Sequence, residues 1–216
     1  MAVPPAELAE RTLAHYRDRF AAHGDTPLGV DWNGLHSQQV QFRQLLQLLP
    51  AEGRFTLTDF GCGYGALLDE LDALPGGPGR IAYLGCDLNA EMIARARERY
   101  AGRSDVVFEV ADSPPRESDF SVASGVFTLR LGRSDAQCAE DLEHALDALD
   151  RSSRHGFAFN CLTSYSDAEK MRDYLYYPDP CRLFDLCKRR YALNVALLHD
   201  YGLYACTLLV RKTLPT

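Results

Sequence analysis

From residue 55 onward the chain alternates short apolar runs with helix-like runs, and this rhythm limits the fold more than any other feature. The apolar runs are FTLTDF (55–60), IAYLGCD (81–87), VVFEV (106–110), FSVASGVF (120–127) and HGFAFNCLT (155–163). Helical patterns fall between several of them, around 64–73, 89–101 and 135–151. Strand followed by helix followed by strand implies parallel pairing through right-handed crossovers, with helices on both faces of one sheet. The end of the chain breaks the rhythm. YALNVALLHD and LYACTLLVRK are separated only by a turn near Tyr201 and Gly202, a link too short for a crossover, so they are expected to form an antiparallel hairpin.

Two helices are expected before the first strand. Leu8, Leu13, Tyr16 and Phe20 recur at helical spacing over residues 5–23, and the Gly24–Pro27 stretch ends that pattern. A second helix is expected from His36 to Leu49, closed by Pro50, with His36, Gln39 and Arg43 on or near one polar stripe. The expected division is an N-terminal helical extension over residues 1–52, covering the site, and an α/β core over residues 53–216. At 216 residues one well-buried domain is expected, not two.

The net charge of -7 supplies no overall basic field, which argues against a nucleic-acid partner. The N-terminal twenty residues carry acids early and lack the apolar centre of a signal peptide. No run approaches the roughly 20 apolar residues needed to span a bilayer. Seven cysteines, at 62, 86, 138, 161, 181, 187 and 206, are scattered, mostly within apolar runs, and form no CxxC pair. They read as reduced thiols of a cytoplasmic protein. Without HExxH or CxxC, no metal is expected.

The stretch LTDFGCGYG places Gly61, Gly63 and Gly65 where the first strand turns into a helix. Glycines there bare the backbone to a ligand and let the chain bend sharply. In this architecture ligands settle at the carboxyl ends of the strands. A dinucleotide site carries GxGxxG, whereas here the order is D-x-G-x-G-x-G. Asp59, just ahead of the turn, would repel a pyrophosphate and suits a positively charged ligand. Asp87 ends the second strand, where an acid takes the hydroxyls of a ribose. Asp112 ends the third, placed to receive the exocyclic amine of an adenine. Three acids on three successive strand ends describe a cationic adenosine ligand.

LTDFGCGYG, YLGCDLNAEMIARAR, FEVADS and DFSVASGVF resemble the successive motifs of the class I S-adenosylmethionine-dependent methyltransferases. They cover about residues 55–130, and the terminal hairpin is similar to that family's last two strands. The chain also resembles a bacterial subgroup labelled only as methyltransferases, through its W-x(n)-SQ-x(n)-F region and its LLHDYGLY ending. The resemblance implies a three-layer, Rossmann-like, doubly wound α/β fold. Its seven-stranded sheet would be mostly parallel with the last strand antiparallel. It implies S-adenosylmethionine as cofactor, with S-adenosylhomocysteine as product. By position, Asp59, Gly61 and Gly63 would line the methionine part, Asp87 the ribose, Leu88 and Asp112 the adenine, and Ser124 the floor near the sulfonium. One departure is informative. After the fourth strand the chain reads SVASGVFTLR, without the Asn-Pro-Pro-Tyr-like motif of the amino-methylating DNA and protein-glutamine enzymes of this fold.

Other residues carry weaker signals. Arg43 is a candidate for gripping the cofactor's carboxylate by two parallel bonds, against the ordinary reading of a solvent-exposed arginine. Trp32, the single tryptophan, either walls the site or anchors a linker. The tyrosine-rich segment 161–191 follows the fifth strand, where substrate loops lie. Candidate catalytic residues are His199 at the end of the penultimate strand, Tyr165, and Asn160 as a polar contact. The expected activity is methyl transfer to O or N of a small molecule by a monomer or homodimer. The alternatives are non-methyl transfer or cyclisation from the same sulfonium, a non-catalytic subunit, and a nicotinamide oxidoreductase.

Overall fold

The computed structural model describes residues 5–213; the first four residues of the stretch inspected for a leader lie outside it. Helix α1 spans Pro5–His23, and a 3-10 turn at Pro27–Val30 leads into α2, Leu35–Leu46. Strand β1 (Phe55–Phe60), α3 (Leu67–Asp72), β2 (Ile81–Asp87), α4 (Ala90–Arg99) and β3 (Val106–Val110) then alternate. After them come β4 (Ser118–Ala123), α5 (Asp135–Arg151), β5 (Ser153–Leu162), α6 (Pro180–Arg190), β6 (Asn194–Leu198) and β7 (Ala205–Arg211). The seven strands form one sheet in the order β3-β2-β1-β4-β5-β7-β6. The pairs among β1 to β5 are parallel, and β7 runs antiparallel to both β5 and β6.

The near-continuous apolar runs become strands because both sheet faces are covered. On β5, Ala158 packs into the cluster that holds Leu57, Leu67, Ile93 and Leu209, beneath α2, α3 and α4. Its neighbours Phe157 and Phe159 pack the other way, with Leu208, Val210, Leu142, Leu146 and Leu149, beneath α5 and α6. Successive residues thus serve opposite layers, as the strand period requires. Each of these buried leucine, isoleucine, valine and phenylalanine side chains contributes about 1.5–3 kcal/mol by leaving water.

Local differences from the sequence expectation have local causes. Helix α3 begins at Leu67 and not at residue 64, because Gly63 and Gly65 hold φ values of 55° and 83°, a region closed to a right-handed helix. Helix α2 stops at Leu46 because the amides of Leu48 and Leu49 reach back only three residues, to Leu45 and Leu46, tightening its last turn. The β6–β7 connection occupies residues 199–204, longer than the tight turn expected, with Gly202 at φ 71°. Helix α2 is also more than an appendage. Its Phe42, Leu45 and Leu46 belong to the cluster that buries β1, while α1 packs chiefly on the 3-10 turn. Among the described residues no helix is long and apolar enough to cross a membrane.

The chain leaves β1 for β2 and β3 on one side, then crosses to β4 on the other side of β1. This reversal opens a crevice above the carboxyl ends of β1 and β4.

Candidate active site

That crevice is a cavity of about 900 Å³, counted out to its open mouth. Asp59, Phe60, Gly61, Cys62, Gly63 and Tyr64 line it from β1 and the following turn, Asp87, Leu88 and Asn89 from the end of β2, and Ser124, Gly125 and Val126 from the end of β4. The opposite wall comes from α1 through Thr12, Leu13 and Tyr16, from Val30 and Trp32, and from α2 through Gln38 and Phe42.

Backbone hydrogen bonds fix the turn. The amides of Gly61 and Cys62 both donate to the Cys86 carbonyl, at 2.8 and 3.1 Å. The Gly63 amide donates to Asp87 Oδ2 at 2.9 Å and the Asn89 amide to Asp87 Oδ1 at 2.8 Å. Each Asp87 oxygen keeps a further lone pair for a ligand hydroxyl. Asn89 caps α4 by accepting from the Glu91 and Met92 amides, so the end of β2 holds its carboxylate at a helix start. Gly61 sits at φ 74°, and a β-carbon there would come within 2.5 Å of Val126 Cγ2; the bend admits glycine alone. Gly65 has a different task. A β-carbon on it would strike Tyr100 at 2.9 Å and Phe108 at 3.0 Å, and its carbonyl accepts from the Tyr100 hydroxyl. It is a packing glycine, outside the cavity lining.

Asp59 is 2% exposed, and its Oδ2 accepts from the Tyr83 hydroxyl at 2.7 Å. Burial pushes its carboxyl up to about 7, opposed by the Tyr83 hydrogen bond and reinforced by the charge of Asp87. Burial raises Asp87 as well, against the pull of the Asn89 and Gly63 amides. Two carboxylates are thus held in a poorly solvated cleft, an arrangement that a positively charged ligand relieves.

The floor depends on Asn160. It is 1% exposed; its Oδ1 accepts from the Gly125 amide at 2.8 Å and its Nδ2 donates to Ser124 Oγ at 2.9 Å. Asn160 therefore lies beneath the cavity and positions Ser124 and Gly125. Above it the Tyr16 hydroxyl donates to the Gly125 carbonyl at 3.4 Å, and the Trp32 ring lies 3.4 Å from where a Gly125 β-carbon would stand. Trp32 packs edge-on against Phe42, with ring centroids 5.9 Å apart.

Several expected residues lie elsewhere. Arg43 points away from the cavity, its Nε donating to Glu70 on α3 at 2.8 Å. The helix phase that turns Gln38 and Phe42 inward turns Arg43 out, which corrects its assignment as a carboxylate clamp. His199 and Tyr165 face one another with ring centroids 5.8 Å apart, but neither lines the cavity. His199 follows β6, three positions from β4 in the sheet, about 14 Å at the usual strand spacing, while Tyr165 follows β5, is 64% exposed and turns its hydroxyl toward Cys181 on α6, so neither side chain reaches the lining. Asp112 is exposed and accepts from its neighbour Ser113. It stands one residue past Ala111, which lines the cavity, and so lies at the rim.

Gln38, Tyr16, Tyr64 and Asn89 line the cavity without having been singled out in the sequence. Helical phase hints at Gln38, which is 3% exposed on an otherwise amphipathic helix; no sequence signal marks Tyr16. Of the seven cysteines only Cys181 is exposed, and all are free thiols. Among the described residues no cluster of His, Cys, Asp and Glu side chains could hold a metal ion.

Comparison with known proteins agrees with this geometry. The family described as a methyltransferase domain matches residues 58–156, the stretch from within β1 into β5. The Mycobacterium tuberculosis protein named "Putative methyltransferase Rv1506c" is 54% identical over 167 residues, covering 77% of this chain and 99% of that protein. The chain belongs to the class I methyltransferases. Solved methyltransferases share its fold at low identity. The magnesium protoporphyrin IX methyltransferase of Synechocystis PCC 6803 with bound S-adenosylhomocysteine superposes at a TM-score of 0.63 and 13% identity, covering 97% of this chain and 100% of its own. The N-methyltransferase NodS of Bradyrhizobium japonicum WM9, also in complex with S-adenosylhomocysteine, gives 0.63 at 18% identity, covering 93% and 97%.

Proposed function

We propose that this methyltransferase uses S-adenosylmethionine to methylate O or N of a small-molecule acceptor. The observation that carries the reading is the pair Asp59 and Asp87, among the described residues the only acidic or basic side chains lining the cavity, flanking a bend where a β-carbon at Gly61 would strike Val126. A cationic nucleoside matches that charge and that bare backbone. The two solved methyltransferases named above, both holding S-adenosylhomocysteine, support the same cofactor.

Asp87 is the partner for the ribose hydroxyls, and Asp59, Gly61 and Gly63 border the methionine part. Leu88 and Ala111 are the apolar neighbours of the adenine, with Asp112 at the rim. Ser124, fixed by Asn160, floors the reacting centre. When bound, the cofactor supplies a methyl group on a sulfonium, already an excellent leaving group. The chain's task is then mainly to hold the acceptor in line, an orientation effect worth roughly 7–11 kcal/mol in well-oriented systems. The wall from α1, Trp32 and α2 excludes water and completes the enclosure, which makes residues 1–52 part of the site.

Calorimetric titration tests the reading. Micromolar binding of both S-adenosylmethionine and S-adenosylhomocysteine, lost in Asp87→Ala, is expected. Tighter binding of NAD than of either compound would overturn it. Release of methylthioadenosine in place of S-adenosylhomocysteine on turnover would move the chemistry from methyl transfer to another attack on the sulfonium.

A further inference from the structure

The wall facing the cofactor side of the cavity is mainly apolar and aromatic, built from Leu13, Tyr16, Val30, Trp32 and Phe42, with Thr12 and Gln38 as its uncharged polar side chains. Among the described residues the lining contains no lysine, arginine or histidine. Cations beside the lining residues are already engaged: His15 Nε2 lies 3.0 Å and Arg19 Nε 3.1 Å from the carboxylate of Asp31, and Arg99, over the Tyr64 ring, pairs with Asp69 at 2.6 Å. The ionisable side chains that do line the cavity are Tyr16, Asp59, Cys62, Tyr64 and Asp87. Burial moves each of them up and toward its neutral form.

Each class of acceptor makes a different demand on such a wall. A carboxylate or phenolate needs a cation or converging donors to bring its charge out of water, and would meet Asp59 and Asp87. An alcohol needs a base as it attacks. Tyr16 is pushed up to about 12 by burial, which makes it a donor; Cys62 is a buried thiol; and Asp59 is held by Tyr83 on the cofactor side. A neutral amine needs neither a cation nor a base before attack.

Resting on the methyl-transfer reading above, we propose that the acceptor atom is the nitrogen of an uncharged amine on a small apolar or aromatic scaffold, received against Tyr16, Trp32 and Phe42. The nitrogen lone pair forms the N–CH3 bond while the C–S bond breaks and its electron pair passes to sulfur. The positive charge moves from sulfur to nitrogen, and the product ammonium yields its proton to water after release. A cation therefore occupies the cavity before and after transfer, where two carboxylates and the faces of Trp32 and Tyr16 favour it throughout.

The test uses the full chain loaded with S-adenosylhomocysteine, titrated by calorimetry with 2-phenylethylamine, 2-phenylethanol and phenylacetate and with a fragment set of matched amines, alcohols and acids. Methyl transfer from S-adenosylmethionine to the same compounds is measured in parallel. Amines are expected to bind more tightly than the matched acids by about ten-fold or more, near 1.4 kcal/mol, and to be the class that is methylated, with a rate that rises with pH as neutral amine accumulates. Alcohols or acids that bind or react as well as amines, or a fragment set in which no amine binds the loaded chain, would overturn the inference while leaving the cofactor reading intact. Failure of S-adenosylhomocysteine to bind at all would overturn both. Thr12→Lys, on the partly exposed face of α1, supplies the missing cation and should shift preference toward acids by about ten-fold; an unchanged order in the folded variant counts against the charge argument.

Discussion

Binding of the charged cofactor should strengthen as pH rises through neutrality, and the effect should vanish in Asp59→Asn. Asp59 in the ligand-free chain titrates near 7, so about one-tenth of it is ionised at pH 6 and about nine-tenths at pH 8. If the bound cation keeps the carboxylate ionised at both pH values, affinity changes by roughly ten-fold across that window, about 1.4 kcal/mol. Stability of the free chain moves the opposite way. A carboxyl raised from its ordinary 3.8 to about 7 stabilises the fold fully below pH 4, and that contribution is lost as pH rises through 7. Three units correspond to at most about 4 kcal/mol. The assay is calorimetry at pH 6, 7 and 8 with S-adenosylmethionine, S-adenosylhomocysteine and methylthioadenosine, alongside thermal unfolding without ligand. Methylthioadenosine carries neither the sulfonium nor the ammonium and should show no slope. A slope shared by the first two compounds places Asp59 at the ammonium, and a slope for the first alone places it at the sulfonium. A flat profile for S-adenosylmethionine, or an equal slope in Asp59→Asn, would refute the role given to this carboxylate.

Asp87→Ala should cost at least about 100-fold in cofactor affinity, near 2.7 kcal/mol, with circular dichroism showing the fold retained. Asn160→Ala should lower turnover more than cofactor affinity, because it frees Ser124 and the Gly125 amide, and should cost about 1–3 kcal/mol in urea unfolding for the unsatisfied groups left behind. Gly65→Ala should destabilise the chain by about 1–3 kcal/mol through its left-handed backbone and the Tyr100 and Phe108 rings, with any loss of affinity following the loss of fold. Arg43→Ala should leave cofactor affinity unchanged and cost about 1–3 kcal/mol in urea unfolding, because its partner Glu70 is only 10% exposed and would lose its cation; a large affinity loss would return Arg43 to the site.

The strands were legible because each is a short apolar run whose residues serve both faces of a covered sheet. FTLTDF, IAYLGCD and VVFEV coincide with β1, β2 and β3. The bend was legible because a left-handed backbone demands glycine, and Asp59 and Asp87 because a strand end places its last side chains over the crevice. Arg43 shows where such reasoning stops. A polar stripe on an amphipathic helix names the residues that share a face, but whether that face meets a ligand or Glu70 depends on how α2 is rotated against α3. His199 shows the same limit across the sheet, since chain order says nothing of the three strand positions that separate β6 from β4.

The sequence by itself therefore determined the α/β class, the glycine bend and the two acids, all products of short-range backbone sterics and of periodicities of two and 3.6 residues. Tertiary structure alone decided what faces those acids: that α1 brings Tyr16 over the Gly125 carbonyl, that Trp32 and Phe42 close the far wall, and that among the described residues no lysine, arginine or histidine joins them. Those contacts link residues up to 109 positions apart, and their direction is set by the packing of whole helices, which no local pattern encodes.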